Sequence, residues 1–507
     1  MTFDKYSKEI FTKIKLCTCL NENIDIIKKV LGINADLIIR NLVLGRKEPI
    51  SSALIYFENM VSKNDVDSNI MNSLIVDSYK SGMVNGSEII SEIFLGNVIT
   101  NAQTKIVYSL KELTEEIASG NIAILFDDLD KILIIDVKGY SYREISESVV
   151  EPTVKGPRDS FIEVLGINLS LIRRRISNAD LIFESLTVGS ISHTKICIGY
   201  IRGLCPGDLI DEIRTRINKM NADGIIDSNY ISEYINDNKF SVFSQIRDTD
   251  RPDIACSALM EGRAVILVDN TPITLILPGE FFSLIQSADD YYNRYTFSSL
   301  ARLLRYFSMS IALVLPALYI SVVNFHQELI PTRLLESIIT ARAGVPLPNY
   351  AEAILMETAF EILREAGVRL PRPVGPAISI VGGLVIGQAA VQAAVVSPLM
   401  VIVVSLTAIA GFTIPQYNIS LSVRILRFAL MILSSIFGLY GLMLGLLFLL
   451  VHMCSLKSFG TPYLYPLTPF DAPSFKDTVL RFPLWAFSKQ KTIRRISKYN
   501  ENWRNNP

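Results

Sequence analysis

The sequence predicts an α/β soluble head, built from a duplicated α/β unit, followed by an α-helical polytopic membrane domain. Long apolar runs are confined to the part of the chain after residue 305, at about 306–325, 378–396, 399–415 and 428–452. A helix needs about 20 mainly apolar residues to cross a membrane, and the first and last runs reach that length. The first 300 residues instead alternate short apolar strands with amphipathic helices, and two stretches of them resemble each other.

Residues 1–50 are rich in Asn, Ile and Lys, and we expect them to form a polar helical extension. No apolar core follows the first lysines, so no cleavable signal peptide is expected and the head should stay in the cytoplasm. The six cysteines are scattered, which is typical of reduced cytosolic thiols. A net charge of −1 does not favour nucleic acid as a partner.

The head contains one α/β pattern twice. ALIYFENMVSKNDVDSNI begins at Ala53 and corresponds to ICIGYIRGLCPGDLIDEI, which begins at Ile196, at an offset of 143 residues. AILFDDLDKILII begins at Ala123 and corresponds to VILVDNTPITLIL, which begins at Val265, at an offset of 142. Each member of the second pair predicts a hairpin of two apolar strands around an Asp-centred turn. The glycines at 120 and 262 are expected to end the preceding helices.

These features set the predicted domain boundaries. We expect the extension over 1–50, a first cytoplasmic α/β subdomain over 51–140, a linker helix and second copy over 141–300, a transmembrane domain over 301–455 and a basic cytoplasmic tail over 456–507. Lys and Arg on both sides of the apolar region place both ends in the cytoplasm, so the number of crossings should be even. Four strong runs satisfy this parity, and a hairpin within 329–363 would raise the count to six. Arg424 and Arg427 disagree with it, because a four-span protein would place them outside.

The sequence carries none of the common catalytic motifs. The sequence has no GxxxxGK[ST] phosphate loop, no HExxH and no GxSxG. His326 and Glu328 are too few ligands for a metal site, and Cys17 and Cys19 are more typical of unpaired thiols. We therefore expect no enzymatic activity, no cofactor and no metal.

An acidic stripe marks the segment AEAILMETAFEILREAGVRL. Glu357, Glu361 and Glu365 recur every four residues and share one face of a helix. In an oligomer this stripe could form an acidic ring that favours cations. The alternative is an amphipathic helix at the headgroup level with a wet acidic face. Upstream, Pro316 is expected to kink the first span.

The run ISIVGGLVIGQAAVQAAVV predicts a helix that packs closely against another. Small residues recur there at four-residue spacing, which lets helices approach each other in lipid. They are Gly383, Gly387, Ala390 and Ala394. Gln388 and Gln392 place two amides on one face, which should meet another helix or water. Interhelical hydrogen bonding and pore lining explain this face equally well.

Four arginines lie around the predicted linker helix. They could bind phosphate, contact anionic headgroups or form salt bridges between subunits. We predict salt bridges between subunits, which is an assembly role. They are Arg158, Arg173, Arg174 and Arg175.

Five segments resemble the GerA family of spore germination proteins, and in particular its A subunits. They are GPRDSFIEVLGINLSLIRRRI, RPDIACSALMEGRAVILVDNTP, DDYYNRY, AFEILREAGVRLPRPVGPAISIVGGLVIGQAAV and SFGTPYLYP, and they run in the family's order from about residue 150 to about 485. Two positions depart from the family pattern: Gln327 stands where a proline is usual, and Gln392 where an acidic residue is usual.

The resemblance implies a multi-pass protein of the spore inner membrane with its head and tail in the cytoplasm. It also implies a germinant receptor with a B-type, transporter-like subunit and a C-type lipoprotein subunit. A subunits of the family are expected to form a homo-oligomeric, nutrient-gated ion channel that releases monovalent cations. On that basis the glutamate stripe and the two glutamines are our pore or gating candidates. A non-conducting scaffold is one alternative. A secondary transporter is another, although the repeat lies in the head and not in the membrane region.

Overall fold

The computed structural model describes residues 16–45, 47–77, 85–94, 103–137, 139, 148, 150–369 and 387–486. It divides into two units, which we describe separately. The α/β unit contains Met1–Asn236, Asp248–Pro278 and Ser488–Pro507, and the helical unit contains Asp237–Arg247 and Gly279–Phe487.

The first copy of the α/β pattern is a five-stranded sheet covered on both faces. Its elements are α1 (Leu20–Leu31), β1 (Leu37–Leu44), β2 (Ile50–Phe57), short helical segments over Lys63–Asp65, Val66–Met71 and Ser73–Asp77, α2 (Gly86–Phe94), β3 (Gln103–Val107), α3 (Leu110–Ala118), β4 (Ile122–Phe126) and β5 (Ile132–Asp136). Apolar side chains of α1 and α3 cover one face, and those of residues 66–75 and α2 cover the other. Because both faces are buried, the central strands are continuous apolar runs.

The second copy repeats the first element by element. It contains α4 (Leu165–Arg175), β6 (Leu181–Val188), β7 (Thr194–Ile201), α5 (Gly207–Asn218), α6 (Ser228–Ile235), β8 (Arg247–Thr249), α7 (Pro252–Met260), β9 (Ala264–Val268) and β10 (Thr274–Leu277). The strand orders are β1-β2-β4-β5-β3 and β6-β7-β9-β10-β8, which are the same order. The predicted duplication is confirmed.

The repeat extends to individual hydrogen bonds. The backbone N–H of Leu20 donates to Asp127 Oδ1 (2.9 Å), and that of Leu165 donates to Asp269 Oδ1 (3.2 Å). In both hairpin turns the residue after this aspartate has a positive φ, 62° at Asp128 and 68° at Asn270. The Asp-centred turns predicted from the sequence are therefore equivalent in structure as well as in composition.

The first copy begins earlier than predicted. β1 pairs with β2 along its whole length, from Leu37 opposite Phe57 to Leu44 opposite Ile50, and α1 contributes to the core below them. The described part of residues 1–50 is therefore integral to the first sheet, and its prediction as a separate polar extension is wrong. The sequence carries a sign of this, since NADLI occurs at 34–38 and again at 178–182.

The helical unit is built around long apolar helices. Its elements are α8 (Phe281–Ile285), α9 (Asp289–Tyr292), α10 (Tyr295–Phe325), a 3₁₀ turn (Gln327–Leu329), α11 (Thr332–Arg342), α12 (Asn349–Arg369), helical residues 387–392, α13 (Pro398–Phe412), α14 (Tyr417–Ser455), β11 (Lys457–Ser458), β12 (Thr461–Pro462), α15 (Ala472–Phe475) and a 3₁₀ turn (Leu484–Ala486). Among the described residues, α10 and α14 are long and apolar enough to cross a membrane, whereas α13 is shorter, with 15 residues.

The last apolar run folds as a helical hairpin, which differs from the single crossing predicted at 428–452. Gly438 interrupts α14 with φ 62° and ψ −140°. A Cβ on Gly445 would lie 2.5 Å from the side chain of Leu430, although 15 residues of one straight helix would separate them by about 22 Å. The chain therefore reverses at Gly438, and α14 consists of two antiparallel arms, 417–437 and 439–455.

Contacts along these helices define two ends of the helical unit. We call the end at which α10 begins proximal and the other end distal. At the distal end, the ring of Phe325 lies against Gly438, at the tip of the hairpin. At the proximal end, one apolar cluster joins Ile285, Ile419 and Leu456. Since α10 starts and arm 439–455 finishes at the proximal end, the chain enters and leaves on one side. This agrees with an even number of passes, and whether each pass crosses a membrane stays a prediction.

We expect Gly262→Ala to destabilise the second copy by about 1–3 kcal/mol. Gly262 ends α7 with φ 83°, and an added Cβ would lie 2.9 Å from the carbonyl oxygen of Leu204. The matched control is Gly207→Ala at the start of α5, where an added Cβ meets no atom of the described residues within 4 Å. Hydrogen exchange of β9 and β10 in the full chain is the measurement. Equal exchange rates in the two variants would contradict the prediction.

Candidate functional site

The glutamate stripe of α12 faces two arginines of arm 417–437. Arg427 Nη1 donates to Glu357 Oε2 at 2.7 Å, and both side chains are 0% exposed. Arg427 stands halfway along its arm, ten residues from either end. Two charges at this depth are stable only because each neutralises the other, since either one alone would lose its hydration without compensation.

The same arginine also satisfies a backbone group of α10. Pro316 has no N–H, so the carbonyl of Ala312, four residues earlier, has no partner within the helix. Arg427 Nε donates to this carbonyl at 2.7 Å. One guanidinium therefore joins α10, α12 and α14 at a single point. The helix continues through Pro316 from Tyr295 to Phe325.

The other two glutamates of the stripe differ in exposure. Glu361 accepts from Arg424 Nε at 3.0 Å and also from Arg424 Nη2, and both side chains are partly buried. Glu365 is exposed and pairs with Arg369 on its own helix at 2.6 Å. The interpretation of a continuous wet acidic face therefore holds for Glu365 but not for the two glutamates before it. Their assignment to a pore or a gate stays a prediction.

Sequence reasoning missed a further buried glutamate. Glu352 is 0% exposed and accepts hydrogen bonds from the backbone N–H and hydroxyl of Ser397, the N-cap of α13. Its other oxygen lies 3.7 Å from Arg342 Nη2. Glu352 lies outside the four-residue spacing of the stripe, so the pattern could not find it. The Ser397-Pro398 break in the apolar region was the available signal, because it places a helix N-terminus there.

The glutamine face of 387–392 points away from the core. Gln388 and Gln392 are exposed, whereas Gly387 is buried and Ala390 packs on the apolar cluster of the helical unit. A Cβ on Gly387 would lie 3.4 Å from Val401 Cγ1, a close approach of the kind that small residues permit. Ala394, which follows this helix, has φ 53°. Gly383 lies outside the described residues.

Helix α12 also carries an exposed apolar face, beside its glutamates. An open groove runs along it, lined by Tyr350, Ala351, Ile354, Leu355, Thr358, Ala359 and Ile362. Three of these side chains are strongly exposed: Tyr350, Leu355 and Ile362. Helix α12 is thus fixed by ion pairs and also presents an exposed apolar surface.

Two of the predicted assembly arginines are engaged within the α/β unit. Arg173 is 1% exposed and forms a bidentate pair with Asp36, 2.6 Å from Nε and 2.8 Å from Nη2. Its guanidinium also lies over Phe57 and Phe183, 3.8 and 4.9 Å from the ring centroids. Because Asp36 and Phe57 belong to the first copy, Arg173 joins the two copies. A buried side chain cannot contact another subunit, so the assembly role is wrong for Arg173.

The remaining members of this group lie nearer the surface. Arg175 is half-buried and binds both oxygens of Asp159 at 2.6 Å. Arg158 and Arg174 are exposed, and for these two the assembly role stays a prediction.

Two arginines near the start of α10 form ion pairs at the proximal end. Arg302 is 1% exposed and donates to Asp290 Oδ2 at 2.9 Å and to Asp477 Oδ1 at 2.8 Å. Arg305 donates to the same Asp290 and to the carbonyl of Ile285. These pairs tie the start of α10 to the segments before and after the bundle.

No metal site emerges from the part of the chain that the structure describes, in which no group of three or more His, Cys, Asp or Glu side chains could hold an ion. His452 instead shares a hydrogen bond with the hydroxyl of Ser241 at 3.0 Å. In the α/β unit, burial raises the pKa of Cys197, Cys205 and Cys256 to about 12 each, so these thiols stay protonated and are poor metal ligands.

Comparison with known proteins finds relatives among the spore germination proteins. The family model described as Bacillus/Clostridium GerA spore germination protein matches residues 25–493. The chain is 42% identical to spore germination protein KA of Bacillus subtilis (strain 168) over 93% of its own length and 86% of the relative's. It is 39% identical to the uncharacterized membrane protein YfkQ of the same organism, over 93% and 90%.

One solved structure is also similar. It is the N-terminal domain of the A subunit of the Bacillus megaterium spore germinant receptor GerK3, with 28% identity and a TM-score of 0.42. The match covers 53% of this chain and 98% of that one.

We expect Arg427→Met to lower the stability of the helical unit by about 3–5 kcal/mol, because it leaves Glu357 buried and unpaired. Adding Glu357→Met should restore much of the loss, since two apolar side chains then replace two charges. Arg424→Met is the control and should cost less, because Glu361 keeps some access to solvent. The measurement is the thermal unfolding, in detergent, of the unchanged chain, the two single variants and the double variant. A double variant no more stable than Arg427→Met would contradict the prediction.

We expect Arg173→Met to cost the α/β unit about 3–5 kcal/mol, because Asp36 is left buried without its partner. The adjacent Arg174→Met is the matched control and should change stability by about 0.5 kcal/mol or less, since Arg174 is exposed. Hydrogen exchange of both sheets is the measurement, and both should be affected. Faster exchange in only one sheet would contradict a role in joining the copies.

Proposed function

The chain belongs to the GerA family of spore germination proteins, and from that premise we propose that it is a germinant-receptor A subunit that gates the release of monovalent cations. A subunits of this family belong to germinant receptor complexes. In the proposal the chain oligomerises in the spore inner membrane and works with a B-type, transporter-like subunit and a C-type lipoprotein. Its head and tail face the cytoplasm.

The architecture of α12 carries the proposal. Its exposed apolar face is the surface that a neighbouring subunit or lipid would cover, while its acidic side is neutralised by arginines of the same chain. We infer that α12 lies at the subunit interface of an oligomer.

The ion pairs of α12 then suggest separate roles for the predicted pore and gating residues. Glu357 is locked by a fully buried partner and would hold the helix in place. Glu361 and Arg424 are partly exposed, so their pair costs less to break and is the better candidate for a gate. Glu365, Gln388 and Gln392 are the exposed polar positions that could line a water-filled path.

Gating requires two states with different affinity for a signal. Nutrient binding elsewhere in the receptor would favour the state in which Arg424 and Glu361 separate. The pair between Arg427 and Glu357 would persist in both states. No enzymatic step enters this proposal, and the family is one of receptor subunits.

Ion flux tests the proposal directly. In liposomes that contain the purified chain and its B-type partner, we expect nutrient to release trapped K⁺, whereas the chain without its partner should not respond to nutrient. Arg424→Gln should raise the leak without nutrient, because it frees Glu361. Arg369→Gln is the control, since its pair with Glu365 is exposed and lies within one helix. No flux in any condition, from a folded and oligomeric protein, would favour a non-conducting scaffold.

A further inference from the structure

We propose that Arg364 and Arg427 form a binding site for a small monovalent anion beside Gly411. The site lies within the helical unit, next to the ion pairs described above. It does not depend on whether the chain conducts ions.

The charges of this cluster do not balance. In the part of the chain that the structure describes, three arginines stand against two glutamates, and each glutamate already has its own partner: Glu357 has Arg427, and Glu361 has Arg424. The excess positive charge belongs to Arg364, whose closest carboxylate oxygen is Glu361 Oε1, 3.9 Å from Nη1. Arginine cannot lose its proton inside a protein, so the charge persists and needs a counter-charge.

The free hydrogen-bond donors of the cluster belong to two arginines. Among the described residues, Arg364 has no hydrogen-bond partner at Nε or Nη2, and Arg427 has none at Nη2. Arg427 is 0% exposed and Arg364 is 13% exposed, so water reaches these donors poorly. Nε and Nη2 form the edge of a guanidinium that binds an anion with two parallel N–H groups.

These donors lie close to Gly411, which has no side chain. An alanine Cβ at Gly411 would lie 3.8 Å from Arg364 Nη2 and 3.9 Å from Arg427 Nη2. The Nη2 atoms of both arginines therefore lie near the same side of Gly411, and the proposal places one ion between them. The guanidinium of Arg364 is held there by the rings of Phe360 and Phe412, at 5.2 and 4.9 Å from their centroids.

A water molecule is the competing occupant. Water would accept from both arginines and could donate to Glu357 Oε1, which also has no partner among the residues that the structure describes. However, water would leave the positive charge of Arg364 uncompensated in a poorly hydrated site. Only an anion supplies both the acceptor and the charge.

Chloride is the probe, and the full chain purified in detergent is the sample. Replacing gluconate by chloride at constant ionic strength should raise the Tm in a saturable way, because a ligand that binds only the folded state stabilises it. Nitrate should act like chloride, whereas gluconate is too large. Equilibrium dialysis with radioactive chloride should find one ion per chain.

Two variants locate the site. Arg364→Gln removes the excess charge, and Gly411→Ala keeps both arginines while occupying the space between them. Each should raise the half-saturating chloride concentration by about tenfold or more. Arg333→Gln is the control, because it removes the same charge from an exposed position of α11. If Arg364→Gln does not fold, Gly411→Ala carries the test.

A Tm that is equal in chloride and gluconate would overturn the proposal and leave water as the occupant. An unchanged chloride response in Gly411→Ala would also overturn it, since the ion would then bind elsewhere.

Discussion

The buried contact of Arg427 organises the helical unit. Its guanidinium neutralises Glu357 on α12 and supplies the hydrogen bond that Pro316 withholds from Ala312 on α10. Three helices therefore depend on one side chain at the middle of the bundle. Removing it would strand a carboxylate and a carbonyl at once, and both losses are costly away from water. The neighbouring pair of Arg424 and Glu361 and the charge of Arg364 are arranged around this fixed point.

The α/β unit uses the same physical device. Arg173 crosses from the second copy to Asp36 of the first and stacks on an aromatic ring from each copy. Two sheets of the same strand order are thus joined by a buried, fully paired arginine. In both units the buried arginine links segments that are distant in sequence. Such contacts specify one arrangement of helices or sheets, because any other arrangement would leave a charge unpaired.

A gate built from these parts has a natural order of strength. Pairs at the surface of the bundle, such as Glu365 with Arg369, contribute little to stability. The partly exposed pair of Glu361 and Arg424 is intermediate, and the fully buried pair of Glu357 and Arg427 is the most costly to break. A receptor that responds to a signal needs one contact that changes and others that hold, and in the proposal α12 carries both kinds within three turns.

The sequence by itself determined the fold class, the duplication and the apolar runs, because periodicity and hydropathy are local properties. It also identified the glutamate stripe by its four-residue spacing, but not what the stripe faces. The tertiary structure decided three further points: the pairing of the stripe with Arg424 and Arg427, the reversal of the last helix at Gly438, and the burial of Arg173 between the two copies. Each joins residues far apart along the chain or depends on one backbone angle, and no local pattern records such contacts. In the sequence Arg424 and Arg427 count as charges that flank an apolar run, whereas the structure places them within an arm of α14, paired with Glu361 and Glu357.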